Sequence, residues 1–169
     1  ANPALLHVKV AEPPKHAALE LVKGGVPQFV ILSDKAPEKD MTYKLASRQC
    51  IGPAVRALKR YVEQATGGTV VEDDVRNAAK YAGKLRFLVG ESALTRELGL
   101  FAEKQEREGY TLTTFEGGVA IVGNDSSLMK DYYREPQRIW RRGERRATLF
   151  GVYDFLERFL GCRFYYPGP

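Results

Sequence analysis

Carboxylates are the first side chains to weigh, because cleaving a glycosidic bond needs two of them held a fixed distance apart across the scissile atom. Asp73 and Asp74 are adjacent, and adjacent residues on a loop point apart. Glu103, Glu106 and Glu108 read as a solvated face. Asp154 and Glu157 sit one turn apart among apolar neighbours, a setting for a structural hydrogen bond or an interdomain contact. No catalytic residue is assigned from these groups, and the chain by itself is not expected to be an enzyme. His7 and His16 have no ligand spacing, and Cys50 and Cys162 are far apart, so no metal site is expected. No dinucleotide fingerprint, phosphate-cradling loop or nucleophile elbow is present, and no cofactor is expected.

One cluster stands out. Trp140 lies among Arg138, Arg141 and Arg142, where a cation and an aromatic ring together could grip a sugar acid, a polyanion or another domain. Its bland counterpart is a solvated loop with Trp140 tucked against the body. The aromatic group Phe159, Phe164, Tyr165 and Tyr166 could stack on a sugar, but core and domain interface is the better reading.

The segment from Leu128 to Arg146 holds seven basic and three acidic residues, so it carries +4 of the net charge of +5. The basic character belongs to that insertion and not to a whole face, which argues against nucleic acid as a partner. With 169 residues and 44% hydrophobic content, the chain can bury a real core. No apolar run approaches the roughly 20 residues that cross a bilayer. No leader is visible before His16, although an exported protein with its leader removed would read the same. Two cysteines are too few for a disulfide scaffold. They read as buried thiols, with a bridge open if the protein is exported.

The elements that must position these groups follow from periodicity and punctuation. Residues 1–18 read as an arm with one short strand at Leu5–Val10, and residues 19–169 as a single domain with an Arg-rich insertion at 124–147. Leu19–Val22 and Val26–Leu32 flank Lys23-Gly-Gly as a hairpin. Ile51, Val55, Leu58 and Val62 mark one face of a helix over Ile51–Thr66, stopped by Gly67-Gly68. A short strand is predicted at Thr69–Val71, a polar loop over Glu72–Lys84, and a buried strand over Leu85–Val89. Ser92 is the expected N-cap of a short helix to Leu98. Tyr110–Phe115 and Val119–Val122 form a second hairpin across Glu116-Gly-Gly. Thr148–Leu160 is an amphipathic helix ended by Gly161, and Arg163–Tyr166 a strand leading to Pro167-Gly168. That order predicts an α+β domain: a mixed, mostly antiparallel sheet covered by two main helices. An exit strand followed at once by Pro169 suggests a domain cut from something larger.

Four pieces, in order, match a family pattern. Ala54–Gly67 resembles the "AAeeLqkYlekiTG" helix found in the small N-terminal domain of many glycoside hydrolases, and Leu88–Leu100 resembles its "yVGrtalakaLGL" segment. Glu108–Leu112 with Gly118–Gly123 is similar to its hairpin. Thr148–Glu157 with Leu160–Gly168 resembles "GTLYGVYDFLE…LGCRWYaPG". The last motif is the specific one. The resemblance is to the β-hexosaminidase-like N-terminal domain that precedes the catalytic barrel in α-glucuronidases, β-hexosaminidases and related proteins, and it covers Leu19 to Pro169. It implies a non-catalytic accessory domain that packs against and orients a downstream barrel carrying the catalytic carboxylates. It also implies a secreted or periplasmic location. Tyr165 and Tyr166 would then lie at the contact with that partner. Two departures stand in this chain: Ala147 replaces the usual glycine before Thr-Leu, and the Arg-rich insertion interrupts a turn that is usually short. The alternative is a stand-alone module binding carbohydrate or polyanion, an acidic oligosaccharide for instance, through Trp140 and its arginines.

Overall fold

The computed structural model describes residues 13–35, 51–106, 108–125 and 146–164. Within them the chain builds a small antiparallel pair and a five-stranded mixed sheet with helices, an α+β architecture. The small pair is β1 (Val22–Lys23) with β2 (Val26–Pro27), turned by Gly24 and Gly25, both at positive φ. The first hairpin is thus shorter than its sequence predicts. Pro27 has no amide hydrogen to extend the ladder, and the Gln28 amide donates to Leu21 O (2.9 Å) at its end. The next five residues leave the pair and become β3 (Phe29–Ser33), buried along its whole length.

Helix α1 (Gly52–Thr66) carries Pro53 in its first turn and ends at Gly67 in the left-handed conformation (φ 71°). Its buried face is Ala54, Val55, Leu58 and Val62; the last three belong to the predicted stripe, whereas Ile51 stands at the N-cap and is only partly buried. Beyond it the prediction is corrected. The strand comes later, as β4 (Val71–Asp74), and Val75–Tyr81 is a 3-10 helix where a loop is expected. Strand β5 (Leu85–Val89) follows. Helix α2 (Ala93–Glu97) is capped reciprocally: Thr95 N donates to Ser92 Oγ (3.3 Å) and Ser92 N to Thr95 Oγ1 (2.8 Å). Strands β6 (Tyr110–Phe115) and β7 (Gly118–Gly123) form the second hairpin, and α3 (Ala147–Leu160) the last helix. Arg163 and Phe164 are not in a strand; Tyr165 and Tyr166 lie outside the described residues.

The strand order is β4-β3-β5-β7-β6. The pairs β3/β4, β3/β5 and β5/β7 are parallel, and only β6/β7 is antiparallel. The sheet is mixed, as predicted, but its described pairings are mostly parallel, not mostly antiparallel. The physical reason lies in the connections. A two-residue turn such as Glu116-Gly117 reverses direction, whereas a crossover returns the chain to the starting end of the sheet, so the next strand runs the same way.

Both main helices lie on one face. Ala54, Val55, Leu58 and Val62 of α1 and Leu149, Val152, Phe155 and Leu156 of α3 pack on Phe29, Ile31, Phe87, Val89, Val119 and Ile121. The opposite face buries Val30, Leu32, Leu88 and Ala120 under Val75, Ala78, Tyr81, Leu94 and Leu100. The predicted cover of one sheet by two helices is therefore what the chain builds.

Candidate functional site

Two regions gather side chains suited to contact or chemistry: the end of α3, and the carboxyl ends of the parallel strands. At the first, four rings run from core to surface. Phe29 meets Phe87 (5.5 Å between centroids), Phe87 meets Phe155 (4.8 Å), and Phe155 meets Phe159 (5.2 Å). Phe159 continues the apolar stripe of α3 by one turn, yet it is 67% exposed. Gly161 ends the helix at φ 67°, and the chain turns so that Phe164 packs between Tyr61 of α1 (5.3 Å) and Tyr153 of α3 (4.7 Å). Phe164 remains 39% exposed. The half-buried Cys162 packs on the same core. Two aromatic rings are thus presented to solvent from a rigid base.

At the second region the carboxylates are engaged. Asp74 caps the 3-10 helix. Its Oδ1 accepts from Arg76 N (2.8 Å) and Nε (2.7 Å), and its Oδ2 from Lys35 N (2.9 Å) and Arg76 Nη2 (2.7 Å). The Arg76 guanidinium, against the opposing effect of burial, holds its carboxyl below the usual range. Asp73 accepts from Asn77 Nδ2 (2.8 Å), Asp74 N (2.7 Å) and the Tyr81 hydroxyl (2.7 Å). The Asn77 and Tyr81 hydrogen bonds lower its pKa to about 2. A carboxyl so acidic is a poor proton donor near neutral pH. Asp154 of α3 binds Arg158 Nε (2.7 Å) and accepts from the Tyr110 hydroxyl. Burial first, and Asp154 second, push the Tyr110 phenol up to about 12. Glu103, Glu106 and Glu108 are exposed.

Asp125 is a group that the sequence does not single out. It is 6% exposed, just after β7, and its Oδ1 accepts from Thr148 N (3.3 Å) in the first turn of α3. Thr148 Oγ1 in turn accepts from Gly123 N (3.0 Å). Asp125 therefore supplies the cap that Arg146, at the N-cap position, does not. Among the described residues its Oδ2 has no hydrogen-bond partner. No local pattern signals this, because the partners are 23 residues apart. Burial raises the Asp125 pKa above its ordinary value, against the Thr148 hydrogen bonds. A group whose folded pKa is raised adds stability below its unfolded pKa, and that contribution is lost as pH rises through the folded value. Asp125→Asn keeps an acceptor for Thr148 and cannot ionise. It is expected to melt above the parent chain at pH 7, with the gap closing as pH falls to 4. Thermal melts at the two pH values check this.

The sequence-derived candidates Arg138, Trp140, Arg141, Arg142, Tyr165 and Tyr166 all lie outside the described residues, as do His7 and Cys50. His16 places Nε2 2.9 Å from Thr114 Oγ1. No group of three potential metal ligands occurs among the described residues, and no described helix is long and apolar enough to cross a membrane. A hollow of about 430 Å³ lies beside Ala78, Tyr81, Lys84, Arg86 and Gly117, and none of its lining residues is acidic. No protein-family model matches this chain, and no curated protein matches it either.

Proposed function

We propose that this is a non-catalytic N-terminal accessory domain of a carbohydrate-active, glycoside hydrolase-like enzyme. It packs against a downstream catalytic barrel of the same polypeptide and orients it. The reading starts from the motif resemblance, above all Thr148–Glu157 with Leu160–Gly168. The observation that carries it is the pair of exposed rings at and just after the end of α3, Phe159 at 67% and Phe164 at 39%. Exposed aromatic area on a rigid base is what an interdomain contact buries. The engaged carboxylates agree with a supporting role, since Asp73, Asp74 and Asp154 are already held by neighbours. With the resemblance goes export, to the periplasm or outside the cell.

The test uses the full-length polypeptide with Phe159→Ser and Phe164→Ser together. Phe159 is mostly exposed and Phe164 partly so, and melting of the isolated double variant beside the isolated parent domain sets the baseline for any loss of the Phe164 contacts with Tyr61 and Tyr153. In the full-length protein the melting of this domain should uncouple from that of the next. Unchanged coupling in the double variant would count against the surface.

A further inference from the structure

The five-stranded sheet has two edges, and they are built differently. The β4 edge is four residues long and carries Glu72, Asp73 and Asp74, charges that discourage another strand from pairing there. The β6 edge is six residues long, Tyr110-Thr-Leu-Thr-Thr-Phe115, without a charge or a proline, and its register with β7 runs without a bulge. An edge of that kind is a template for one more strand unless something covers it.

The phase of the ladder fixes which backbone groups face outward. Asn124 N donates to Gly109 O (3.0 Å), so Gly109 is a hydrogen-bonded position, and Thr111, Thr113 and Phe115 follow it in the alternation. Tyr110, Leu112 and Thr114 turn their N–H and C=O groups to the open side, where no other described strand pairs with them. Leu112 packs on the core beneath α1 and α3 yet stays partly exposed, as a residue does whose neighbouring strand is missing.

The chain itself arrives at this edge. His16 places Nε2 2.9 Å from Thr114 Oγ1, near the Phe115 end of β6, and Leu19 and Leu21 then pack on the core on the way to β1. Residues 1–12 lie outside the described ones, but what precedes Pro13 must leave from beside that contact. Its sequence includes Leu5-Leu-His-Val-Lys-Val10, the same length as β6. Leu6, Val8 and Val10 alternate with His7 and Lys9, the pattern of a half-buried strand. Charge agrees. Glu108 and Glu116, both exposed, flank the two ends of β6, and Leu5–Val10 contains a lysine and a histidine but no acid.

We propose that Leu5–Val10 pairs with β6 as a sixth strand of the sheet. The link sets its direction. Only Ala11–Lys15 join Val10 to His16. With Val10 beside Thr114 they make a short turn at the Phe115 end; with Val10 beside Tyr110 they would have to retrace the whole strand. Leu5 therefore lies by Tyr110 and Val10 by Thr114, and the new strand runs parallel to β6. Leu6, Val8 and Val10 continue the face that holds Leu112, and Lys9 lies toward the Glu116 end. The N-terminal arm is then part of the domain and closes its uncharged edge. This is independent of the barrel-docking surface, which lies at the end of α3.

Amide hydrogen exchange on the intact chain, read residue by residue by NMR, tests it. The Tyr110, Leu112 and Thr114 amides should be protected at every protein concentration, as are those of Thr111 and Thr113, which bond to β7. Adjacent strand residues turn their amides to opposite edges, so His7→Pro with Val8→Pro removes a donor facing β6 in either register. In that variant the three edge amides should exchange about tenfold faster or more, while Thr111 and Thr113 hold. Unprotected edge amides in the unsubstituted chain would overturn the proposal. Protection indifferent to the double substitution would also overturn it, in favour of another segment. Protection that grows with concentration would do the same, in favour of a second copy. Should the variant fail to fold, backbone nuclear Overhauser contacts between Leu5–Val10 and Tyr110–Thr114 in the unsubstituted chain decide: their presence upholds the pairing and their absence overturns it.

Discussion

Leu156→Ala is expected to destabilise this domain by about 2–5 kcal/mol, the range for truncating a fully buried leucine. Leu156 is 0% exposed and belongs to the cluster that joins α3 to α1 and the sheet. Its neighbours are held from several directions. Phe155 is fixed edge-on against Phe87 (83° between ring planes), and Val152 and Leu149 belong to the same buried face. A site pinned in this way cannot close over the missing atoms, so the cost should fall in the upper half of the range. Each kcal/mol lowers the melting temperature of a domain this size by about 2–4 °C. Glu157→Ala, on the exposed side of the same helix, should shift it by less than about 0.5 kcal/mol. Equal losses from the two would mean that α3 does not bury the face described.

Gly118→Ala should be at least as damaging, for a different reason. Gly118 stands at the start of β7, paired with Arg86 on one side and Phe115 on the other. A Cβ there would lie 1.9 Å from Arg86 O and 2.9 Å from the Phe115 ring. Arg86 O is backbone inside a parallel ladder and cannot swing aside as a side chain tip can. Relief requires β5 and β7 to part, and we expect about 3 kcal/mol or more, the upper end of the cost of overpacking. Gly161→Ala gives the contrast. Gly161 also needs a glycine, at φ 67°, but a Cβ there meets nothing within 4 Å. Its penalty is the left-handed backbone alone, about 1–2 kcal/mol. Chemical denaturation of both variants checks the order; a milder Gly118→Ala would show that the two ladders do not close on that residue.

The helices, β5 and the second hairpin could be read from the chain because each is specified locally. The stripe from Val55 to Val62 and the Gly67 stop define α1, and the β-branched residues around Glu116-Gly117 define the hairpin. Strand direction was harder, because it depends on the path between strands rather than on the strands themselves. A clue was nonetheless present. Phe29-Val-Ile-Leu32 and Phe87-Leu-Val89 do not alternate with polar residues, which marks strands buried on both faces and favours parallel pairing. Glu72-Asp-Asp74 read as loop because three carboxylates suit no central strand, yet an edge strand leaves them solvent and hydrogen-bonding neighbours. Of the candidate contact surface, the sequence marks Phe159 and Phe164 as core or interface. Phe159 falls at the surface end of the aromatic chain, and Phe164 packs partly exposed between Tyr61 and Tyr153. Asp125 was not singled out, since its role as a cap depends on Thr148, which only the fold brings near.

The central claim is that this domain works by docking to a following catalytic barrel. Differential scanning calorimetry of the full-length polypeptide beside the isolated domain tests it most directly. Docking predicts that this domain melts at a higher temperature in the full-length protein, in a transition shared with the barrel. Two separate transitions, one of them matching the isolated domain, would contradict it.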